Sequence, residues 1–426
     1  VLLNDDANAL DLIGDILDTI SYRDVPGHLL QRLAKRFREA GCALYPPLDA
    51  RPPESGRDQL HVGFLVDFSQ LFVADFVSIL IAYHDPKRIR VKVYAISPLD
   101  PAICAALVAA GAQLVSVSTF DERRAAQTIQ ADNLDILVDV AAFGTYSKPG
   151  LVSCRPARIQ LAMPGFTHPA TTGEIDYCLS DQVANLDASP SPDFPIPVFL
   201  EGSVFPLLPV PHTRLQFTRA QLGLDANVPV FGVLAAAARL SSRCIRIWKA
   251  LADRVPNAVF FVCPLLAADR EPIKRILLAG GVGTTRILML PVSQSRGRDI
   301  ALTGLVDIIL DTMPGSDYFS ARAAIHDAIP LVTIPGRLFE ERVALSLLTQ
   351  LGDCSTVAAS GRDYVALATQ LAQDLNSSLT ARAASVERRR ALLAKSPLAD
   401  MKQYVAHFED ALFRASGAGA IPARAS

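Results

Sequence analysis

The chain has 426 residues, half of them hydrophobic and a fifth charged, with a formal net charge of -2. That length accommodates two ordinary domains plus extensions, and the composition excludes an intrinsically disordered chain. The near-neutral balance excludes a global basic field for nucleic acid or an anionic membrane, so any anion site must be local.

Residues 1–58 read as a helical extension and linker. Leu10, Leu12, Ile13, Ile16, Leu17 and Ile20 form one apolar stripe at helical spacing, and Leu29, Leu30, Leu33 and Phe37 form a second, with Pro26 and Gly27 between them. The stretch is either a helical cap or the stub of an upstream helical-repeat array, and both readings stay open. The start, VLLNDDANALDLIGD, carries two acids where a secretory leader would be basic, and it reads like a piece of something longer. The Pro-rich run 46–58 marks a boundary.

From residue 59 to 210 short apolar strands alternate with helices. LHVGFLV (60–66), VKVYAIS (91–97), QLVSVS (113–118), LDILVDVAAF (134–143), RIQLAM (158–163) and EIDYCLS (174–180) predict strands, with helices over 101–110 and 121–131. Such alternation implies βαβ units and a parallel sheet covered on both faces. Seven prolines within 186–214 exclude a regular helix or a central strand there, so that segment predicts an interlobe connection.

The alternation restarts over 211–395. VPVFGVLA (228–235), AVFFVCPLL (258–266), RILMLPV (286–292), LVDIILD (305–311) and IPLVTIPG (329–336) predict strands, and 242–255, 321–328 and 341–351 predict helices. Residues 361–415 predict helix almost throughout, broken near Ser396–Pro397, with 396–426 forming a last helix and a frayed tail.

Seven scattered cysteines (42, 104, 154, 178, 244, 263 and 354) show no CxxC or Cys/His ligand spacing. They read as free thiols in a reducing compartment, with no metal site. No apolar run reaches the roughly 18 residues that span a bilayer. A cytoplasmic location, no membrane span and no nucleic-acid partner are the expectations.

Two doubly wound, Rossmann-like lobes joined by a Pro-rich hinge and closed by C-terminal helices make the α/β architecture called GT-B, in which ligands bind at the carboxyl ends of the strands in the cleft that the lobes face. The phrases LHVGFLVDF (60–68), VYAISP (93–98), LDILVDV (134–140), RPARIQ (155–160), EIDYCLSD (174–181), VDIILDTMP (306–314), IPLVTIPG (329–336), ERVALSLLTQLG (341–352), DYVALATQLAQD (363–374) and SPLADMKQYVAHFEDALF (396–413) carry a further resemblance. In that order they are similar to the catalytic region of the protein O-GlcNAc transferase family, with its plant SPINDLY-type and bacterial members. The resemblance implies a metal-independent, inverting glycosyltransferase with no cofactor. It would move a sugar from a UDP-type nucleotide-sugar donor, held by the C-terminal lobe, to a protein or peptide acceptor on the N-terminal lobe.

Several family positions differ here. A His that follows the first strand's Asp-Phe is Leu71, and a second, after the strand 134–140, is Phe143. The family's Gly-His-Thr-Thr-Gly run and following Asp correspond to GSDYFSARAA (315–324), which puts Phe319 and Ser320 at the threonines and Ala323 at the acid. Two family lysines correspond to arginines: Arg239, and either Arg296 or Arg298. Guanidinium groups grip phosphate oxygens bidentately, so anion binding survives the exchange.

Arg239 would neutralise the donor diphosphate from a strand end just before a helix, where free amides also favour anions. Arg296 and Arg298 would assist, although loop arginines are commonly just exposed. Gly315, Ser316, Asp317 and Ser320 form a strand-to-helix turn able to present amides to a phosphate, with helix capping by Ser316 or Asp317 as its plain structural role. Asp317 would also put negative charge beside that phosphate. Tyr146 and Lys148 are acceptor-side candidates in a loop that could merely turn. His168 in GFTHPATTGE is the surviving general-base candidate, or a surface-loop histidine. Asp139 and Asp311 end buried strands and are expected to bond loop amides, and Trp248 belongs to a core face. Two alternatives to transfer from UDP-GlcNAc follow from the loss of both imidazoles, both threonines and the acid. One is a catalytically inactive pseudo-glycosyltransferase serving as a binding scaffold, and the other is a transferase with a different donor.

Overall fold

A computed structural model describes residues 5–6, 12–13, 16, 27–51, 59–70, 73–141, 146–163, 174–185, 195–210, 216–265, 267–290, 301–376 and 378–417. The chain divides into two compact units. The first takes in Val25–Leu208 with Asp400–Ser426, and the second Pro209–Ala399.

In the first unit, α1 (Gly27–Leu44) precedes the sheet. Its buried line is Ala34, Phe37 and Ala40, while Leu29, expected in the apolar stripe, is exposed. The strands are β1 (Leu60–Val66), β2 (Ile89–Ala95), β3 (Gln113–Ser116), β4 (Ile136–Asp139), β5 (Ile159–Ala162), β6 (Tyr177–Ser180) and β7 (Ile196–Phe199). All pair in parallel in the order β3-β2-β1-β4-β5-β6-β7. Helices α2 (Val73–Tyr83), α3 (Pro101–Ala109), α4 (Glu122–Ala131) and the short α5 (Pro149–Ser153) intervene.

Sequence periodicity passes over α2, because VADFVSILIAY is apolar nearly all round and six of its residues are buried, so no polar face marks a 3.6-residue repeat. Within the Pro-rich segment, β7 carries Pro197, and it sits at the sheet edge, where a missing N–H breaks no second ladder. Leu65, Tyr94, Val117, Ala126, Ile129, Leu137 and Leu151 pack as one core cluster between the sheet and its helices.

In the second unit the strands are β8 (Val230–Ala235), β9 (Val259–Pro264), β10 (Ile287–Met289), β11 (Ile308–Leu310) and β12 (Leu331–Val332), parallel in the order β10-β9-β8-β11-β12. Between and after them come α6 (Ser242–Arg254), α7 (Arg270–Ala279), α8 (Tyr318–His326), α9 (Val343–Leu351), α10 (Gly361–Asn376) and α11 (Leu379–Lys395). The last helix, α12 (Met401–Gly417), packs back on α2 of the first unit. The stretch expected as one helix up to Ser396 is thus divided once more, before Ser378, which caps α11 by accepting from the Ala381 amide.

Trp248 of α6 is fully buried in the second core with Phe231, Phe260 and Tyr364. Burying each such ring removes apolar area worth roughly 1.5–3 kcal/mol. Its indole N–H donates to the Tyr364 hydroxyl at 3.3 Å, and that hydroxyl donates to the Asp311 carbonyl at 3.2 Å. The core thereby anchors the end of β11. Among the described residues no helix is long and apolar enough to cross a membrane.

Candidate functional site

In each sheet the strand order reverses once, between β1 and β4 and again between β8 and β11. Crevices at such switch points, beyond the carboxyl ends of the strands, are where open α/β sheets bind ligands. In the second unit the segments leaving β8 and β11 carry Arg239 and the turn 311–320.

After β8 the chain makes a 3-10 turn over Ala237–Arg239, and Ser241 then caps α6 by accepting from the Cys244 amide. The Ser241 hydroxyl donates to the Met313 carbonyl at 2.5 Å, tying this turn to the segment after β11. The Arg239 side chain is therefore delivered onto that segment, with a residue exposure of 9%. Its Nη1 donates to the Ser316 carbonyl at 3.1 Å, and its Nε lies 3.0 Å from Asp317 Oδ2.

Asp311, just past β11 and fully buried, organises the turn. Its Oδ1 accepts the amides of Thr312 (2.9 Å) and Asp317 (2.8 Å), and its Oδ2 accepts the hydroxyls of Ser316 (2.7 Å) and Thr333 (2.6 Å). Gly315 accepts from the Thr312 hydroxyl at 2.7 Å. The Ser316 amide donates to the Glu340 carbonyl, and its hydroxyl accepts the Ala344 amide. Asp317 is the N-cap of α8, accepting the Ser320 amide at 2.8 Å, and this is why the helix opens at Tyr318 rather than at 321. The Ser320 hydroxyl is buried and donates to the Leu234 carbonyl at 2.6 Å, so it braces β8 instead of facing a ligand.

Arg239, Gly315, Ser316, Asp317 and Ser320 thus come together. Arg296, Arg298 and His168 lie outside the described residues. In the first unit Tyr146 is 40% exposed, whereas the Lys148 ammonium donates to the Phe120 carbonyl at 2.8 Å just before α5. Asp139 accepts the Ala141 amide at 3.0 Å, the loop-bracing role expected of a strand-end acid.

Sequence reasoning misses Glu340. It is 1% exposed, and among the described residues no other residue donates an aligned hydrogen bond to either carboxyl oxygen. Burial pushes its pKa up to about 8, with Glu341 adding to the rise and Arg239 pulling against it. The only signal was an acid next to Phe339 in LFEERVALSLL, where a run of Glu340, Glu341 and Arg342 passes for a solvated helix start. Among the described residues no group of three or more His, Cys, Asp or Glu is placed to hold a metal ion.

Two doubly wound parallel sheets with a strand-to-helix turn at the second switch point define the GT-B class of glycosyltransferase fold. The chain belongs to Glycosyl transferase family 41, which matches it over residues 48–190 and 208–408. It is 27% identical over 361 residues to a Petunia hybrida protein named probable UDP-N-acetylglucosamine–peptide N-acetylglucosaminyltransferase SPINDLY, covering 82% of this chain and 38% of that protein. The Arabidopsis thaliana protein similarly named SEC is 24% identical over 373 residues, covering 85% of this chain and 37% of the relative. The chain therefore spans under two fifths of these curated relatives' length. Among solved structures, a mutant O-GlcNAc transferase of Thermobaculum terrenum superposes with a TM-score of 0.81 at 21% identity, covering 96% of this chain and 77% of its own. Anabaena HepE in complex with UDP and glucose gives 0.50 at 12% identity, over 82% and 99%. These structural likenesses establish the fold.

Proposed function

We propose that the chain is a catalytic region that transfers a sugar from a nucleotide-sugar donor to a protein acceptor, with the donor diphosphate neutralised in the second unit. The observation that carries this is the meeting of Arg239 with the 315–320 turn at the β8/β11 switch point. A departing diphosphate gathers negative charge in the transition state, and a pre-placed guanidinium with helix-start amides stabilises that charge more than it stabilises the ground state. The protein cation takes the place a metal would fill in a metal-dependent transferase, so we read the mechanism as metal-independent, and the family resemblance supports reading it as inverting. The names of the curated relatives support UDP-GlcNAc as donor and a peptide hydroxyl as acceptor. Tyr146 would contact that acceptor, and His168 or the donor phosphate would take the hydroxyl proton. Lys148, held on Phe120, would act by positioning the loop.

A second reading has its own observation: the Asp317 carboxylate already faces Arg239. In that reading the fold is kept as a scaffold and no donor binds. Calorimetric titration with UDP, GDP and CMP and with UDP-GlcNAc, followed by a donor-cleavage assay, separates the two. Transfer predicts binding that Arg239→Ala weakens by about 1–3 kcal/mol, the range for a hydrogen bond to a charged group. No binding of any nucleotide rejects transfer and leaves the scaffold, and unchanged affinity in Arg239→Ala removes this residue from the site.

A further inference from the structure

We propose that Asp317 is a built-in occupant of the anion position of the second unit, a carboxylate that an incoming diphosphate must displace before Arg239 and the first amides of α8 can hold it. The proposal rests on the donor-site reading above and adds a specificity element to it.

A helix start holds an anion through free amides, and a neighbouring cation strengthens the hold. Here one side chain takes both. Asp317 Oδ1 accepts the Ser320 amide at 2.8 Å, and Oδ2 stands 3.0 Å from Arg239 Nε. With Arg239 only 9% exposed, a second anion reaches it by moving Asp317 aside. Oδ2 faces the guanidinium, while bonds from the Ser320 and Phe319 backbone hold the carboxylate at the helix start. The turn's backbone is meanwhile fixed by Asp311, which binds the Asp317 amide and the Ser316 hydroxyl. Release therefore takes a rotation of the Asp317 side chain that gives up its cap on Ser320, while the backbone held by Asp311 stays in place.

Glu340 is the second, independent observation. Its buried carboxyl lies within electrostatic reach of Arg239, and among the described residues no other residue gives either oxygen a hydrogen bond, an arrangement native proteins seldom leave standing. In its neutral form it is a donor, and the carboxylate of Asp317 as placed does not supply the acceptor.

The test titrates inorganic pyrophosphate and UDP into the wild-type chain and into Asp317→Asn, which removes the charge and keeps an N-cap acceptor. Removing one like charge from beside the ligand should tighten pyrophosphate binding roughly ten- to a hundredfold. The gain should vanish in Asp317→Asn/Arg239→Met. Should Asp317→Asn not fold, Asp317→Ser replaces it, and pyrophosphate should raise its thermal midpoint more than that of wild type. Equal pyrophosphate affinity in wild type and variant overturns the proposal, as does no binding to either. If the variant gains pyrophosphate but neither form binds UDP or cleaves UDP-GlcNAc, the donor reading fails and the internal anion stands. If both forms bind UDP and pyrophosphate equally well, the donor reading stands and the internal anion fails.

Discussion

The two sheets reverse their strand order in the same way, yet the two switch points hold different chemistry. In the first unit, Asp67 follows β1 and Asp139 ends β4. Asp67 accepts the Ser69 amide and hydroxyl through one oxygen, leaves the other without a donor among the described residues, and each acid serves its own loop. In the second unit, Asp311 gathers four donors from two segments, and a guanidinium is laid against the same turn. One topology therefore yields an edge tied by amide and hydroxyl bonds, such as Gln70 to the Ala141 carbonyl, in one unit and an edge gathered by one buried acid beside a cation in the other. The proposed anion chemistry belongs to the second.

The largest effect should come from breaking the cross-link. Asp311→Ala strands two amides and two hydroxyls in a buried place, and loss of about 3–5 kcal/mol in denaturant unfolding is expected. A loss under 1 kcal/mol would mean that Asp311 is not the organiser of that edge. Next comes the pH dependence that Glu340 imposes. Its carboxyl titrates near 8 in the fold, against about 4.3 when unfolded. Between those values the folded state holds a proton that the unfolded state has released, so stability is fully present below the lower value and falls as pH rises toward 8. The slope is on the order of 1 kcal/mol per pH unit. Glu340→Gln should be flat by comparison, so that the wild-type-minus-variant difference shrinks or reverses from pH 5 to pH 8. A constant difference would show that Glu340 is ionised in the fold. The smallest effect should be in the first unit. Asp67→Asn keeps the oxygen that Ser69 uses and relieves the unpartnered one, for a change within about 1 kcal/mol in either direction. A larger loss would reveal a cation partner for Asp67 and erase the contrast between the edges.

Much of the fold was legible because strands buried on both faces read as apolar runs, and helices between them carry a polar face. β1, β8, α4 and α6 follow from that rule nearly to the residue. Where the rule lacks contrast it is silent, as with α2, which is apolar all round. The gathering of Arg239 with residues 315–320 was legible from position, since each lies where a strand hands over to a helix. What those side chains do once together was less so. Ser320 looks like a phosphate ligand in sequence but spends its hydroxyl on Leu234, and nothing in the spacing of Asp317 reveals that it faces Arg239. Glu340 is legible as an acid but not as a buried one, because burial is set by the turn it packs against, far away in sequence.

Diffraction from crystals grown with UDP would examine the donor site most directly. The account predicts a β-phosphate oxygen within hydrogen-bonding distance of Arg239 and the Asp317 carboxylate turned off the guanidinium. UDP bound elsewhere, with the Asp317–Arg239 contact intact, would contradict it.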